Sequence, residues 1–479
     1  MNLPAAPFSF LRVFALSISL FSLNVYASSD AEHSDDDTDS AQSSSKARES
    51  QVAKNATNPN TKKLSMFQGP GAEPWVTDGT SEGTMMIDVY PGGTSFAYGF
   101  TRFKGEFYFQ ANNGTNGFEL WKSDGTAAGT KLVKDINPGT GSSFHYRFAE
   151  FVAYQGALYF QANDGVNGFE LWRTDGTEAG TNLVHDIHTM SQGASSTPGS
   201  FTVMNDILYF TADHGLGGRK LRKFNGTANS SLVNNNDVFA GTSAPDAVPA
   251  SFPILNGELY MQARDPASNT GYELWKSNGT VAGTVLVKDI NPAAGSSNPG
   301  GFKKLNNAIY FSAYDGVNGN ELWKTDGTAV GTVMVKDIYP GAEGSRVVNL
   351  TRVKGTLYFQ AFDPVYGYEL WKTDGTEAGT LMVKDISIEN GGRFSDYLFS
   401  QFVPFKGVLY FQTKDNVNGP RFWVTDGSAE GTVRVKDIRS AANFTVLTNA
   451  LYFTASKGAE YGLWKSQGSP ESTVLVKQF

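Results

Sequence analysis

Cysteine is absent from the chain, which excludes disulfide staples, thiol chemistry and a lipid-modified amino-terminal cysteine. Histidine is scarce, at five in 479 residues, and basic residues are nowhere clustered, so nucleic acid has no electrostatic footprint to bind. The formal net charge of −8 is mild at this length, and part of it sits in the run Asp35-Asp36-Asp37. The stretch Gly79-Thr80-Ser81-Glu82-Gly83 matches Gly-x-Ser-x-Gly only as one copy of a repeated Asp-Gly-Thr turn, not as a nucleophile elbow, and no HExxH pair occurs. The apolar run from Val13 to Val25 is too short to cross a bilayer and stay, and no other approaches membrane length. With Arg12 before it and the small-residue site Val25-Tyr26-Ala27 after it, residues 1–27 read as a secretory signal peptide. The mature chain is expected to be secreted, periplasmic or on the cell surface, monomeric, and without an integral membrane segment.

Residues 28–63 are rich in Ser, Asp, Asn, Lys and Thr and nearly empty of large apolar side chains. Such a segment buries too little surface to offset its ordering entropy, and it reads as a disordered polar linker.

What is abundant is one phrase, written most cleanly as ELWKTDGTAVGTVMVKDI from Glu321 to Ile338. It returns around Trp75, Trp121, Trp172, Trp275, Trp371, Trp423 and Trp464, so all eight tryptophans occupy one repeat position. A degraded copy, LRKFNGT, carries Arg222 where the tryptophan belongs. The period is about 49 residues, the length of a four-stranded propeller blade.

The third unit displays the pattern: Phe148 to Tyr154, a Gln155-Gly156 turn, ALYFQAND, GFELWRTD, then Asn182 to Ile187. These are strands A to D. In ALYFQ, Leu158 and Phe160 oppose Tyr159 and Gln161, so both faces are apolar, as in a sheet sandwiched between neighbours around a ring. Strand B recurs at Phe107, Leu158, Leu208, Leu259, Ile309, Leu357, Leu409 and Leu451, and LSMFQ at Leu64 is a ninth, with no strand A evident before it. The expected fold is all-β: a β-propeller of nine four-stranded blades over residues 64–479, the alternative being eight blades plus a terminal appendage. Each Asp-Gly-Thr, as at Asp326-Gly327-Thr328, is expected to be a structural C–D turn.

The phrases ELWKSDGTAAGT, ELWRTDGTEAGT, ELWKTDGTAVGT and ELWKTDGTEAGT resemble the bacterial ELWxxDGT repeat family, over roughly Leu64 to Phe479. The resemblance implies an exported, propeller-like protein and brings with it no established activity. The first, fourth, eighth and ninth copies depart from the pattern, at Pro74-Trp75, at LRKF, at Arg421-Phe422-Trp423 and at Gly462-Leu463-Trp464.

Strand direction alternates, so B–C loops and D–A connections share one face of the disc, while the A–B and DGT turns share the other. Ligand-face candidates on the first are Asp164, Asn167, Asp315, Asn318, Asp363, Asp415 and Asn418. Oxygen-rich loops of this kind suit Ca²⁺, although their spacing fits no strict calcium loop. Aromatics of the D–A connections, Tyr146 and Tyr339, are ligand candidates. The tryptophans are expected to be buried between blades. His145, His185, His188 and His214 fall beside the worn fourth copy and are candidate Zn²⁺ ligands, or histidines tolerated in solvated loops. Short, similar loops without a catalytic insertion lead to the expectation of a non-catalytic binding or surface-interaction module for a glycan, envelope component or protein, with no certain cofactor. The alternative is a glycan-active hydrolase or lyase on the propeller scaffold.

Overall fold

A computed structural model describes residues 63–146, 149–215, 219–227, 252–265, 270–386, 398–415, 419–435 and 437–479. The expected signal peptide and nearly all of the expected linker lie outside the described residues. The rest is all-β apart from one 3₁₀ turn at Pro70–Ala72. No helix among the described residues is long and apolar enough to cross a membrane.

Nine antiparallel sheets follow one another, each with its strands in chain order. Seven have four strands. Among the described residues the first sheet has three (Ser65–Gln68, Pro74–Thr77, Met85–Met86), as does the fourth (Gly199–Met204, Ile207–Asp213, Arg219–Phe224). The leading strands touch between sheets 1 and 2, 3 and 4, 6 and 7, 7 and 8, 8 and 9, and 9 and 1, around the axis of a nine-bladed propeller. In blade 1 the strand Ser65–Gln68 takes the innermost place and contacts both Tyr98–Phe103 of blade 2 and Ile438–Leu447 of blade 9. Blade 1 is therefore inside the ring, and the appendage alternative is set aside.

Alternation in strand B fills two interfaces at once. From Glu106–Asn112, Phe107, Phe109 and Ala111 pack on Met66 and Val76 of blade 1, whereas Tyr108 packs on Leu158 and Phe160 of blade 3. Burial of each such side chain contributes roughly 1.5–3 kcal/mol. Every tryptophan packs on the preceding blade. Six are buried; Trp75 and Trp275 are half-buried, a departure from the expectation. Trp75 has the carboxy-terminal residue as its cover, its ring 4.6 Å from that of Phe479.

Two polar latches recur between blades. A strand-D lysine crosses to a threonine carbonyl in the next blade's DGT turn: Lys134 to Thr181 at 2.9 Å, Lys288 to Thr332 at 2.7 Å, Lys336 to Thr380 at 3.0 Å and Lys384 to Thr432 at 3.1 Å. The strand-B tyrosine hydroxyl meets the next DGT glycine; a Cβ on Gly176, where φ is +99°, would lie 2.2 Å from Tyr108 Oη. Only glycine fits that approach and that φ.

The glutamate of ELW is a third tie, this time within the blade. Glu321 is fully buried and accepts the backbone N–H of Ile338 at 3.1 Å, Tyr339 at 3.2 Å and Ser345 at 2.8 Å, with Ser345 Oγ adding a bond of 2.6 Å. It fastens strand C to the loop that leaves strand D.

Candidate functional site

The DGT face is closed by its own hydrogen bonds, as expected. Asp326 Oδ1 accepts Thr328 N–H and Thr328 Oγ1 at 2.9 and 2.8 Å, and the Thr325 and Thr332 hydroxyls pair at 2.7 Å. Hydrogen bonds of this kind hold Asp124, Asp175, Asp326, Asp374 and Asp426 below the ordinary carboxylate range.

On the opposite face the B–C loop acids bind their own turns. Asp164 Oδ1 accepts Val166 and Asn167 N–H, and Asn167 Nδ2 donates to Asp164 Oδ2 at 2.6 Å. Asp315 and Asn318 repeat this, and Asp363 accepts Val365 and Tyr366 N–H. The side chain of Asp415, and Asn418 as a whole, lie outside what is described.

The four histidines are distributed along the seam between blades 3 and 4 and beyond it. His145 stacks on Phe169, rings 3.9 Å apart and 16° from parallel, and burial lowers its pKa. His185 is half-buried in Asn182–His185, its pKa lowered by burial and by Arg222 against the opposing effect of Asp186. His188 lies against Gly215, beside His214: a Cβ on Gly215 would meet His188 Cε1 at 2.8 Å and Nε2 at 2.9 Å. No group of three or more His, Asp or Glu side chains placed to hold a metal ion occurs among the described residues. His188 thus lies against the residue that follows His214, while His145 stacks on a phenylalanine.

Sequence reading missed the inner rim. Strand A skips two residues in its pairing with strand B, as between Tyr98 and Thr101, Gly199 and Thr202, Gly300 and Lys303, and Val348 and Thr351. The first residue of the resulting bulge adopts a left-handed φ in most blades: Gly99, Ser200, Gly301, Asn349, Gln401 and Asn443. All are small or neutral. In blade 3 the position five residues before the hairpin belongs to Glu150, which lacks the left-handed φ.

Glu150 reaches across the seam. Its Oε1 accepts Phe201 N–H of blade 4 at 3.3 Å, and Ser200 N–H also binds it. Both side chains border Gly199, where an added Cβ would sit in ordinary contact 3.5 Å from Arg219 Nη2 and 3.9 Å from Glu150 Oε2. Burial pushes the Glu150 carboxyl up to about 7 from an ordinary 4.5, against the backbone hydrogen bonds and the charge of Arg219. Arg219 is fixed on Thr197 Oγ1 at 2.6 Å and Thr211 Oγ1 at 2.8 Å, with Asp213 as a further charged neighbour.

An aromatic cluster includes a residue of the same connection. Tyr146, 53% exposed, stands edge-on to Phe96 at 5.3 Å and to Phe118 at 5.9 Å, four residues before Glu150 in the same connection. Tyr339 enters a comparable cluster with Phe362 and Tyr368 at blades 6 and 7.

No protein-family model matches the sequence, and no curated protein matches it. Among solved structures, the chain is similar to oligopeptidase B from Leishmania major (12% identity, TM-score 0.38, covering 68% of this chain and 48% of that one). It is similar also to a puromycin hydrolase (13%, TM-score 0.37, 68% and 52%) and to prolyl oligopeptidase B from Galerina marginata (12%, TM-score 0.40, 69% and 51%). The chain spans about half the length of each. These structures are of hydrolytic enzymes, and on that finding the expectation of a non-catalytic module is corrected. At such identities and TM-scores no substrate and no mechanism pass from them to this chain.

Proposed function

We propose that this chain is an exported, glycan-active hydrolase or lyase of the ELWxxDGT repeat type, with Glu150 as its acid–base group. Glu150 carries this reading. A carboxyl of ordinary pKa is almost wholly ionised at neutral pH and has no proton to give, whereas one held at about 7 is present in both forms and both gives and takes a proton. It stands at the one described inner-rim position where a charge replaces a glycine or a neutral polar residue. A buried acid perturbed beside a specific charge partner is a catalytic candidate, and Glu150 differs from the structural Glu119 and Glu321 in lying outside the ELW repeat.

The platform of Phe96, Phe118 and Tyr146 supports glycan as the substrate class. The C–H faces of a pyranose are apolar and stack on aromatic rings, while its hydroxyls suit the flanking Asn and Asp loops. Arg219 supplies positive charge beside Glu150.

The test is a panel of neutral and acidic polysaccharides incubated with wild type and Glu150→Gln. Release of reducing ends without ultraviolet absorbance identifies a hydrolase; absorbance from an unsaturated end identifies a lyase. Turnover lost in Glu150→Gln at unchanged thermal stability is the expected result. No turnover on any polymer, or turnover equal in the variant, removes the proposal.

A further inference from the structure

The chain keeps its basic residues apart, and the fold gathers four of them. Lys303 pairs with Tyr310 and Arg352 with Leu357 across their A–B hairpins, so each shares a sheet face with its partner. Tyr310 and Leu357 belong to one core between blades 6 and 7, which brings Lys303 and Arg352 to the two sides of that seam. Lys304, the next residue, turns to the opposite face and is no part of the group. Arg352 Nε donates to Lys354 O at 2.9 Å, and Lys354 reaches on to blade 8, where a Cβ on Gly407 would lie 2.5 Å from its Nζ. Lys406 precedes that glycine, its own Nζ 5.4 Å from the centre of the Phe405 ring.

All four are exposed, and they stand on an innermost strand or its hairpin, at the DGT mouth of the central channel. Among the described residues none of them joins an ion pair, and the three lysine ammonium groups donate no hydrogen bond. Blade 2 differs: at the same positions Arg102 Nη2 donates to Leu64 O at 3.4 Å and Lys104 Nζ to Asp175 O at 3.3 Å. Like charges held together without a counter-charge repel one another, and an anion at the mouth relieves that repulsion.

The surroundings select the kind of anion. Farther from the axis on the same face, the exposed Asp326, Asp374 and Asp426 of the DGT turns are kept ionised by their hydrogen bonds. A broad acidic protein surface or a nucleic-acid duplex meets that negative rim, whereas one thin strand passes between its charges. Single-stranded nucleic acid binds by stacking bases on aromatic rings. The exposed aromatics among the described residues, Tyr146 and Tyr366, stand in loops of the other face.

We propose that Lys303, Arg352, Lys354 and Lys406 bind one strand of an anionic polysaccharide, carrying carboxylates or sulfate esters, across the DGT mouth of the channel. Glu150 precedes the strand Val152–Tyr154, at its loop-face end, so this contact is separate from the proposed reaction and needs no turnover. With a net charge of −8 the molecule does not attract polyanions at long range, and recognition is local.

The experiment is native affinity electrophoresis in gels containing alginate, dextran sulfate, unmodified dextran, polyglutamate or single-stranded DNA. It uses wild type, Glu150→Gln, Lys354→Gln/Lys406→Gln, and Lys131→Gln/Lys457→Gln, which removes two exposed charges away from the channel mouth. Retardation of wild type and of Glu150→Gln by alginate or dextran sulfate, but not by dextran, is expected; alginate alone indicates carboxylate and dextran sulfate alone indicates sulfate. Lys354→Gln/Lys406→Gln is expected to bind about tenfold more weakly, and Lys131→Gln/Lys457→Gln as wild type does. Thermal transitions check folding, and Lys303→Gln alone is read if the first double variant fails to fold. No retardation by either anionic polysaccharide, equal retardation by dextran, tighter binding to polyglutamate or DNA, or equal weakening in the two double variants overturns the site. Because binding is read in Glu150→Gln as well, the catalytic proposal stands or falls separately on turnover.

Discussion

Lys477 Nζ donates to the carbonyl oxygen of Thr84 at 2.6 Å, joining residues 393 positions apart. It is the same latch that Lys336 makes on Thr380 between consecutive blades, and beside it Tyr452 Oη donates to Gly79 O at 3.4 Å as the tyrosine latch requires. Ser65 and Thr445 hydroxyls pair at 2.7 Å at the same junction. The ring closes by the ordinary blade contact, without a shared strand.

Lys477→Met is therefore expected to cost as much as Lys336→Met, about 1.5–3 kcal/mol each for a hydrogen bond from a charged group. Urea denaturation measures both. A loss at Lys336 with none at Lys477 contradicts closure at that seam.

Gly176→Ala puts a Cβ against Tyr108 Oη at a φ of +99° and is expected to destabilise by about 2 kcal/mol or more. Tyr108→Phe removes the hydroxyl and is expected to restore part of that loss in the double variant. Purely additive effects in the cycle rule out the contact.

Burial raises the Glu119 carboxyl to about 8 and Glu321 to about 6. A carboxyl raised in the folded state favours folding while it is protonated, so this contribution is complete below the unfolded value near 4.5 and is lost as pH climbs through about 8 for Glu119. Thermal stability of wild type is expected to fall across that window more steeply than that of Glu119→Gln. Glu119→Ala strands the N–H groups of Ile136 and Ser143 and is expected to cost about 2–4 kcal/mol at every pH. Parallel pH curves for wild type and Glu119→Gln refute the assignment.

The nine blades were legible because a fixed period, a two-sided apolar strand and a glycine-bearing hairpin all describe the same unit. The DGT turn was legible for the same reason: its aspartate and threonines bind one another locally. The work of the ELW glutamate was hidden, since its partners are backbone N–H groups 17 and 24 residues on, as in Glu273 with Ile290 and Ser297. The recurring serine 24 residues downstream was the available signal. Glu150 belongs to no motif. It emerges only when the bulge positions are aligned on their hairpins and one proves to carry a charge. His188 and His214 were grouped from the break in the repeat, whereas His145 was drawn in by sequence proximity alone and packs on Phe169 instead.

The pH dependence of kcat/KM on whichever polysaccharide is turned over tests the central claim most directly, measured for wild type and for residual activity in Glu150→Gln. The account predicts an ionisation near pH 7 in wild type that is missing from the variant, whose turnover falls by about a hundredfold or more. An ionisation that persists unchanged in Glu150→Gln, or wild-type activity that titrates only near 4.5, contradicts it.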